Sequence, residues 1–229
     1  MALEGFNLSF NYNCCFMIIA GAKGFAKEVF ELLYRMDKPT DLAFFDNVST
    51  DLSAKLYDAY EVLRTTEEVQ QWMGPDKRFI LGVGNPKVRR ILAELLRSSG
   101  GTLTSIVAPS VRIGAFGIHL GEGCTIMDDC ILTTDIRVGE GVLMNVCCTI
   151  GHDSIIHDYC ELMPGTRISG HVELGENCVT GTNSVILPGV KIGANSIIGA
   201  GSVVTKDIEP NVVAVGTPAK VIKQLHAVS

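Results

Sequence analysis

Long apolar runs are missing from this chain of 229 residues. The longest near its start, Cys14 to Ala20, is far short of the roughly twenty residues that cross a bilayer. Residues 1–13 carry no basic segment of the kind that opens a secretory leader, so residues 1–15 read as a polar extension. Basic clusters are missing too. With 19 Lys and Arg against 25 Asp and Glu, the net charge is −6, which argues against nucleic acid as a partner. The eight cysteines include no C-x-x-C pair, so neither a structural zinc site nor another metal is expected. The full G-x-G-x-x-G fingerprint is absent, which weakens a reading as a nucleotide-dependent redox domain. What remains, 47% hydrophobic and 19% charged, is ordinary for a soluble protein of one or two domains, expected in the cytoplasm.

The strongest positive signal is a period of six. Leu120, Ile126, Leu132, Val138, Met144, Ile150, Ile156, Leu162, Ile168, Leu174, Ile186, Ile192, Ile198 and Val204 are all aliphatic, and only Thr180 breaks the series. A helix repeats near 3.6 residues and a strand near 2, so neither explains it. A coil with three flat faces of six residues does, one aliphatic side chain pointing inward per face. This is the hexapeptide form of a parallel β-helix. No insertion breaks the frame from 120 to 204, giving about five coils at roughly 4.8 Å rise.

Four residues after each aliphatic stands a small or β-branched residue, as at Cys124, Cys130, Val142, Cys148, Ser154, Cys160, Thr166 and Cys178, with Ile136 the one bulky member. A tight stacked corner demands it. Five cysteines therefore behave as small hydrophobes. Cys14, Cys15 and Cys147 read as free thiols of a reducing compartment. Gly recurs one residue after the aliphatic, at Gly121, Gly139, Gly151, Gly175, Gly181, Gly193 and Gly199. There the chain bends, and Gly is expected to supply conformations closed to other residues.

Residues 16–105 follow another grammar. Phe16 to Ala20, Leu42 to Asp46 and Arg78 to Gly84 read as buried strands. Ala26 to Met36, Glu67 to Met73 and Val88 to Leu96 read as helices, the last with Ile91, Leu92, Leu95 and Leu96 on one side. Alternation of the two predicts a small parallel α/β domain of Rossmann type. Gly21-Ala-Lys23-Gly24 lies between a strand and a helix, where backbone N–H groups receive a phosphate or merely turn the chain. Asp46 and Gly82-Val-Gly84-Asn85 also end strands, in the crevice where ligands of open α/β sheets bind.

Among the histidines His119, His152, His157, His171 and His226, His152 sits two residues past an inward aliphatic, in a corner, with Asp153 next to it. A neutral imidazole there accepts a proton from an attacking amine or hydroxyl, and the carboxylate orients it. A solvated polar corner is the plainer alternative. His157 and His171 read as exposed corner residues that stacking 18 residues apart brings toward the same cleft.

Together the two halves resemble the sugar O-acyltransferase family that includes the sialic-acid acetyltransferases and the nucleotide-linked 4-amino-sugar N-acetyltransferases. The family's Gly-Ala-x-Gly-His loop stands here as Gly21-Ala-Lys-Gly-Phe25, with Phe25 replacing His. Its acidic pair appears as Asp46-Asn47, and its Gly-x-Gly-Asn element as Gly82-Val-Gly84-Asn85 with Arg89. His-Pro before the coils becomes Ala108-Pro109. The family's Asn followed by Gly-His-Asp appears as Asn145 and Gly151-His152-Asp153. Its second His, nine residues on, is Glu161, and Val215-Gly-Thr-Pro-Ala-Lys220 matches its closing element.

The resemblance implies a left-handed β-helix over residues 106–208, capped by 209–229 and preceded by the Rossmann-like domain. It implies acetyl-CoA as co-substrate, lying between solenoids of a homotrimer along Glu161, Gly170, Thr182 and Ala200, with the Gly170 N–H facing the thioester carbonyl. A nucleotide-linked amino sugar would be held by Gly21, Lys23, Gly24, Phe25, Asp46, Asn47, Gly84, Asn85, Arg89 and Asn145. The implied reaction is N-acetylation of a 4-amino-4,6-dideoxy sugar for surface polysaccharide or glycan synthesis, with His152 and Asp153 catalytic. Sugar O-acetylation of the sialic-acid type, or a trimeric scaffold without catalysis, are the alternatives.

Overall fold

The computed structural model describes residues 17–37, 41–74 and 77–225. The expectations for residues 1–15 with Cys14 and Cys15, for Phe16 and for His226 lie outside them. The chain divides into two compact units, with the boundary between Ile106 and Val107.

The first unit is a six-stranded sheet with three helices. Its strands are Met17–Ala20 (β1), Leu42–Phe45 (β2), Lys55–Leu56 (β3), Tyr60–Leu63 (β4), Arg78–Leu81 (β5) and Thr102–Leu103 (β6). Its helices are Gly24–Asp37 (α1), Thr66–Trp72 (α2) and Pro86–Ser98 (α3). The sheet order is β3-β4-β2-β1-β5-β6, parallel except for the β3–β4 pair. All four residues of β1 are buried, as a strand with neighbours on both sides and covered faces requires. Chain direction across the sheet reverses beside β1, since β2 lies on one flank and β5 on the other. That arrangement opens a crevice at the carboxyl ends of these strands.

The alternation of strand and helix matches the sequence reading. The helix α3 corrects it in one place: Leu92, Ala93 and Leu96 face the core, whereas Ile91 is exposed. The short strands β3 and β4 have mixed burial that periodicity does not reveal. They are held by an aromatic cluster in which Phe30 of α1 meets Tyr57 at 5.5 Å and Tyr60 at 4.7 Å.

The second unit is the solenoid, whose two-residue strands recur every six residues in three sheets. The first face stacks Thr125–Ile126, Leu143–Met144, Glu161–Leu162, Val179–Thr180 and Ile197–Ile198. The second stacks Ile131–Leu132, Thr149–Ile150, Arg167–Ile168, Val185–Ile186 and Val203–Val204; the third, Arg137–Val138, Ile155–Ile156, Glu173–Leu174 and Lys191–Ile192. Partners are 18 residues apart, as in Thr149↔Arg167. The frame slips only where coils begin and end. Arg112 pairs with Ile131, which places one extra residue in the first coil, and Ile197 pairs with Val213. Strands Val212–Gly216 and Ala219–Gln224 then close the first face as an antiparallel pair.

The aliphatic series from Ile126 onward is buried throughout. Its polar exception is buried as well, and satisfied: the Thr180 hydroxyl lies 3.1 Å from that of Thr166. The small register does more than fit. Cys124, Cys130, Cys148, Ser154, Cys160 and Cys178 each donate to the carbonyl fifteen residues ahead, at 3.1–3.3 Å. A thiol or hydroxyl there answers a backbone acceptor that Ala would leave alone. The hydrogen bond with Cys148, and then burial, pushes the Cys130 thiol up, and burial, then the neighbouring Cys178, does the same to Cys160.

The recurrent glycines have a different cause from the one expected. None of Gly121, Gly139, Gly151, Gly175, Gly181, Gly193 or Gly199 has positive φ. A Cβ at Gly151 would instead stand 2.6 Å from the Gly170 nitrogen, and one at Gly181 2.4 Å from that of Ala200. Close stacking excludes the side chain. Positive φ falls two positions further on in the six-residue repeat, on Asp129, Asp135, Asp153, His171, Asn177, Asn183 and their like.

Candidate active site and nucleotide pocket

On the edge between the second and third faces, successive coils stack Thr134, His152 and Gly170. Beside them run Asp135, Asp153, His171 and Gly189, with φ of 51°, 57°, 57° and 75°. Backbone bonds hold the stack in register, from Asp153 N–H to the Thr134 carbonyl at 3.3 Å and from His171 N–H to that of His152 at 2.8 Å. The left-handed backbone turns the Asp153 side chain toward its neighbours. Its Oδ2 lies 2.7 Å from His152 Nδ1 and 3.6 Å from His171 Nε2. A carboxylate only accepts, so in the neutral ring of His152 this contact puts the proton on Nδ1 and leaves the lone pair on Nε2.

The His152 ring rests on Gly170, where a Cβ would come within 2.6 Å of both Cε1 and Nε2. The His171 ring stands edge-on to it with centroids 5.0 Å apart. The His152 side chain is 55% exposed, so a substrate can reach the lone pair. The ligand atoms of His152, Asp153 and His171 all lie within 4.8 Å of one another, close enough for a single metal ion to engage the three.

In the first unit, a pocket of about 420 Å³ opens at the strand ends, lined among others by Lys23, Phe25, Asn47, Val48, Gly84 and Val88. Gly21, at φ 119°, lets two strand ends meet, because a Cβ there would stand 2.8 Å from the Gly82 oxygen. Asp46 organises its own loop: its carboxylate accepts from the N–H groups of Val48 and Ser49 and from the Ser49 hydroxyl. Asn85 caps α3 through the N–H groups of Lys87 and Val88. Buried Arg89 donates to the Val83 carbonyl at 2.9 Å, which braces the Gly82–Asn85 turn. Lys23 pairs with Asp51 at 2.9 Å, and that ammonium holds the Asp51 carboxyl below its ordinary range.

The sequence-predicted residues thus fall into three groups. Gly21, Lys23, Gly24, Phe25, Asp46, Asn47, Gly84, Asn85 and Arg89 gather in or just behind the pocket, and His152, Asp153 and Gly170 share one edge. The others stand elsewhere on the prism. Glu161 takes an outward position of the first face; Asn145, Thr182 and Ala200 lie on the edge between the first and second faces. Asn145 is 8% exposed and donates to the Leu162 carbonyl at 3.2 Å.

Sequence reasoning passed over Arg64, whose guanidinium donates to the carbonyls of Asp46, Ser49, Leu52 and Ser53 and so fixes one wall of the pocket. Nothing local marks that arginine. It also left His171 undecided, although its place 18 residues after Asp153 was the usable signal. Among the described residues no helix is long and apolar enough to cross a membrane.

A left-handed hexapeptide solenoid bearing an accessible, carboxylate-oriented imidazole, preceded by a Rossmann-like unit with a crevice pocket, defines the class of hexapeptide acyltransferases. A profile described as bacterial transferase hexapeptide (six repeats) matches residues 153–187 and 171–206, and one described as the PglD N-terminal domain matches residues 17–96. Galactoside O-acetyltransferase of Escherichia coli (strain K12) is 40% identical over 117 residues, 48% of this chain and 55% of that protein. The chain therefore spans about half the length of that relative. A putative acetyltransferase of Schizosaccharomyces pombe is 34% identical over 144 residues, 59% of this chain and 67% of the relative.

Solved structures resemble nearly the whole chain. WeeI from Acinetobacter baumannii AYE has a TM-score of 0.84 at 27% identity, covering 91% of this chain and 100% of that one. A mutant perosamine N-acetyltransferase from Caulobacter crescentus, in complex with CoA and GDP-perosamine, has a TM-score of 0.83 at 27% identity, covering 91% and 97%. The chain belongs to the hexapeptide-repeat acetyltransferase family, and its first unit matches the PglD N-terminal domain.

Proposed function

We propose that this protein transfers the acetyl group of acetyl-CoA to the amine of a nucleotide-linked 4-amino-4,6-dideoxy sugar. The observation that carries the reading is the 2.7 Å contact of His152 Nδ1 with Asp153, which leaves Nε2 as a base in reach of solvent. The neutral amine attacks the thioester carbonyl, a C–N bond forms, and Nε2 takes the ammonium proton. The tetrahedral oxyanion is met by the Gly170 N–H. Collapse breaks the C–S bond, and the imidazolium returns its proton to the leaving thiolate. Asp153 stabilises the charged ring in between. The pocket at Lys23, Phe25 and Asn47 holds the nucleotide, and the neighbour crystallised with both CoA and GDP-perosamine supports a reaction that brings these two kinds of ligand together.

The residues assigned to acetyl-CoA argue for an assembly of at least two copies, as in the trimer that the family resemblance implies. Gly170 lies on one edge of the prism, Thr182 and Ala200 on another. A single pantetheine arm meets both sets only where edges of two copies are apposed. O-acetylation of a sugar is the second reading, favoured by the 40% identity to galactoside O-acetyltransferase.

The test is thiol release from acetyl-CoA against UDP-, dTDP- and GDP-linked 4-amino sugars, with galactoside and sialic acid alongside and His152→Ala as control. Turnover of one amino sugar, reduced by about 10²–10⁴-fold in the variant, is expected. Turnover of a hydroxyl acceptor alone would replace the first reading by the second. No turnover and no CoA binding would leave a scaffold.

A further inference from the structure

Asp153 faces two imidazoles through the same oxygen, at 2.7 Å and 3.6 Å. His152 needs the carboxylate at its Nδ1. His171 has no such need for itself, and it occupies a left-handed corner (φ 57°) whose column otherwise holds Asp and Gly. A ring at that corner reaches back along the edge to the coil below, which a glycine does not.

From this juxtaposition we infer that His171 is a positioning residue: it holds the Asp153 carboxylate from the far side, so that Oδ2 stays aimed at His152 Nδ1. The inference rests on His152 being the base. Asp153 is 47% exposed, and the other contact to its carboxylate is His152 itself. Without His171 the 2.7 Å contact to His152 alone would restrain that half-exposed side chain. The acid on the third face, Glu173, is engaged by His157 at 3.2 Å and Lys191 at 2.9 Å, and the corner above His171 is the uncharged Pro188–Gly189 turn. Asp153 is therefore the anion that His171 meets. Its effect on catalysis is to fix the tautomer of His152. An imidazole free in water prefers its proton on Nε2, the wrong nitrogen for a base whose lone pair must face the substrate. A carboxylate held at Nδ1 reverses that preference.

The two substitutions that separate this role from a merely structural one are His171→Gln, whose amide nitrogen reaches the place of Nε2, and His171→Asn, which suits the left-handed corner but is too short. Nitrogen-15 NMR of the histidine rings, in the full chain above the imidazole titration range, reads the tautomer without any substrate; His152→Ala assigns the resonances. Wild type and His171→Gln are expected to hold His152 in the Nδ1–H form. His171→Asn is expected to show a mixed population, with kcat three- to tenfold lower on whichever acceptor is turned over, KM for acetyl-CoA unchanged and the melting midpoint kept. An Nδ1–H population in His171→Asn equal to wild type would overturn the inference while leaving His152 as base. An Nε2–H form in the wild type would overturn both.

Discussion

Replacing Gly170 by Ala separates the position of the base from everything else in the site. Gly170 does not have positive φ, so its backbone accepts Ala without strain, and the N–H assigned to the oxyanion is retained. The new methyl would stand 2.6 Å from Cε1 and Nε2 of His152. Ordinary contact begins near 3.5 Å, so the ring must retreat by about 1 Å. It can do so cheaply, being 55% exposed. The retreat weakens the exposed contact with Asp153, costing about 0.2–1 kcal/mol. Against it, Ala removes freedom from the unfolded chain and contributes about 0.4–1 kcal/mol.

These nearly cancel, so the melting midpoint should stay within about 2 °C of wild type. Activity should not. A displacement of about 1 Å in a reacting group costs on the order of 100-fold. Thermal melting beside steady-state kinetics with acetyl-CoA and the best acceptor measures both. Activity within threefold of wild type would refute the claim that the ring works from its seat on Gly170. A large drop in melting midpoint would refute the claim that the ring is free to move.

Three other outcomes follow from contacts described above. Arg64→Ala should loosen the loop after Asp46 and weaken nucleotide binding by isothermal titration, while CoA affinity is unchanged; equal loss of both would point to misfolding. Thr180→Val should shift stability by less than about 1.5 kcal/mol in urea melts, because Thr166 keeps its bond to the Met163 carbonyl at 2.8 Å and is not orphaned. The carboxyl of Glu173 is held low by Lys191 and then His157, so its contribution is present above the unfolded carboxylate range and lost as pH falls through the folded value. Lys191→Met should therefore lower the melting midpoint slightly at neutral pH and leave it unchanged once the pH has fallen below the folded value of that carboxyl.

The sequence made the solenoid legible because one side chain in six must be aliphatic and another must be small, and no other fold imposes both. It misled about the glycines. Exclusion of Cβ by the neighbouring coil and tolerance of positive φ leave the same residue in a sequence, and only the backbone of Gly151 against Gly170 separates them. The choice of Cys and Ser in the small register was read as size alone, since a carbonyl fifteen residues away is invisible to local reasoning. In the first unit, strand ends and the Gly-rich turn placed the pocket. Arg64 escaped because its four acceptors are main-chain atoms, which carry no sequence signal. His171 was marked only by arithmetic.

That arithmetic makes the solenoid a ruler with two kinds of division. Losing 18 residues would remove one rung and bring what lies beyond it nearer by roughly 4.8 Å, with each edge keeping its identity. Losing six would leave the pattern of aliphatic and small residues intact to any reader of the sequence, yet turn everything downstream by one face. Gly170 would then no longer lie above His152, and Thr182 would leave the edge it shares with Asn145. Chain length in such a protein can drift in steps of 18 and is locked against steps of six, by chemistry that hydropathy alone never registers.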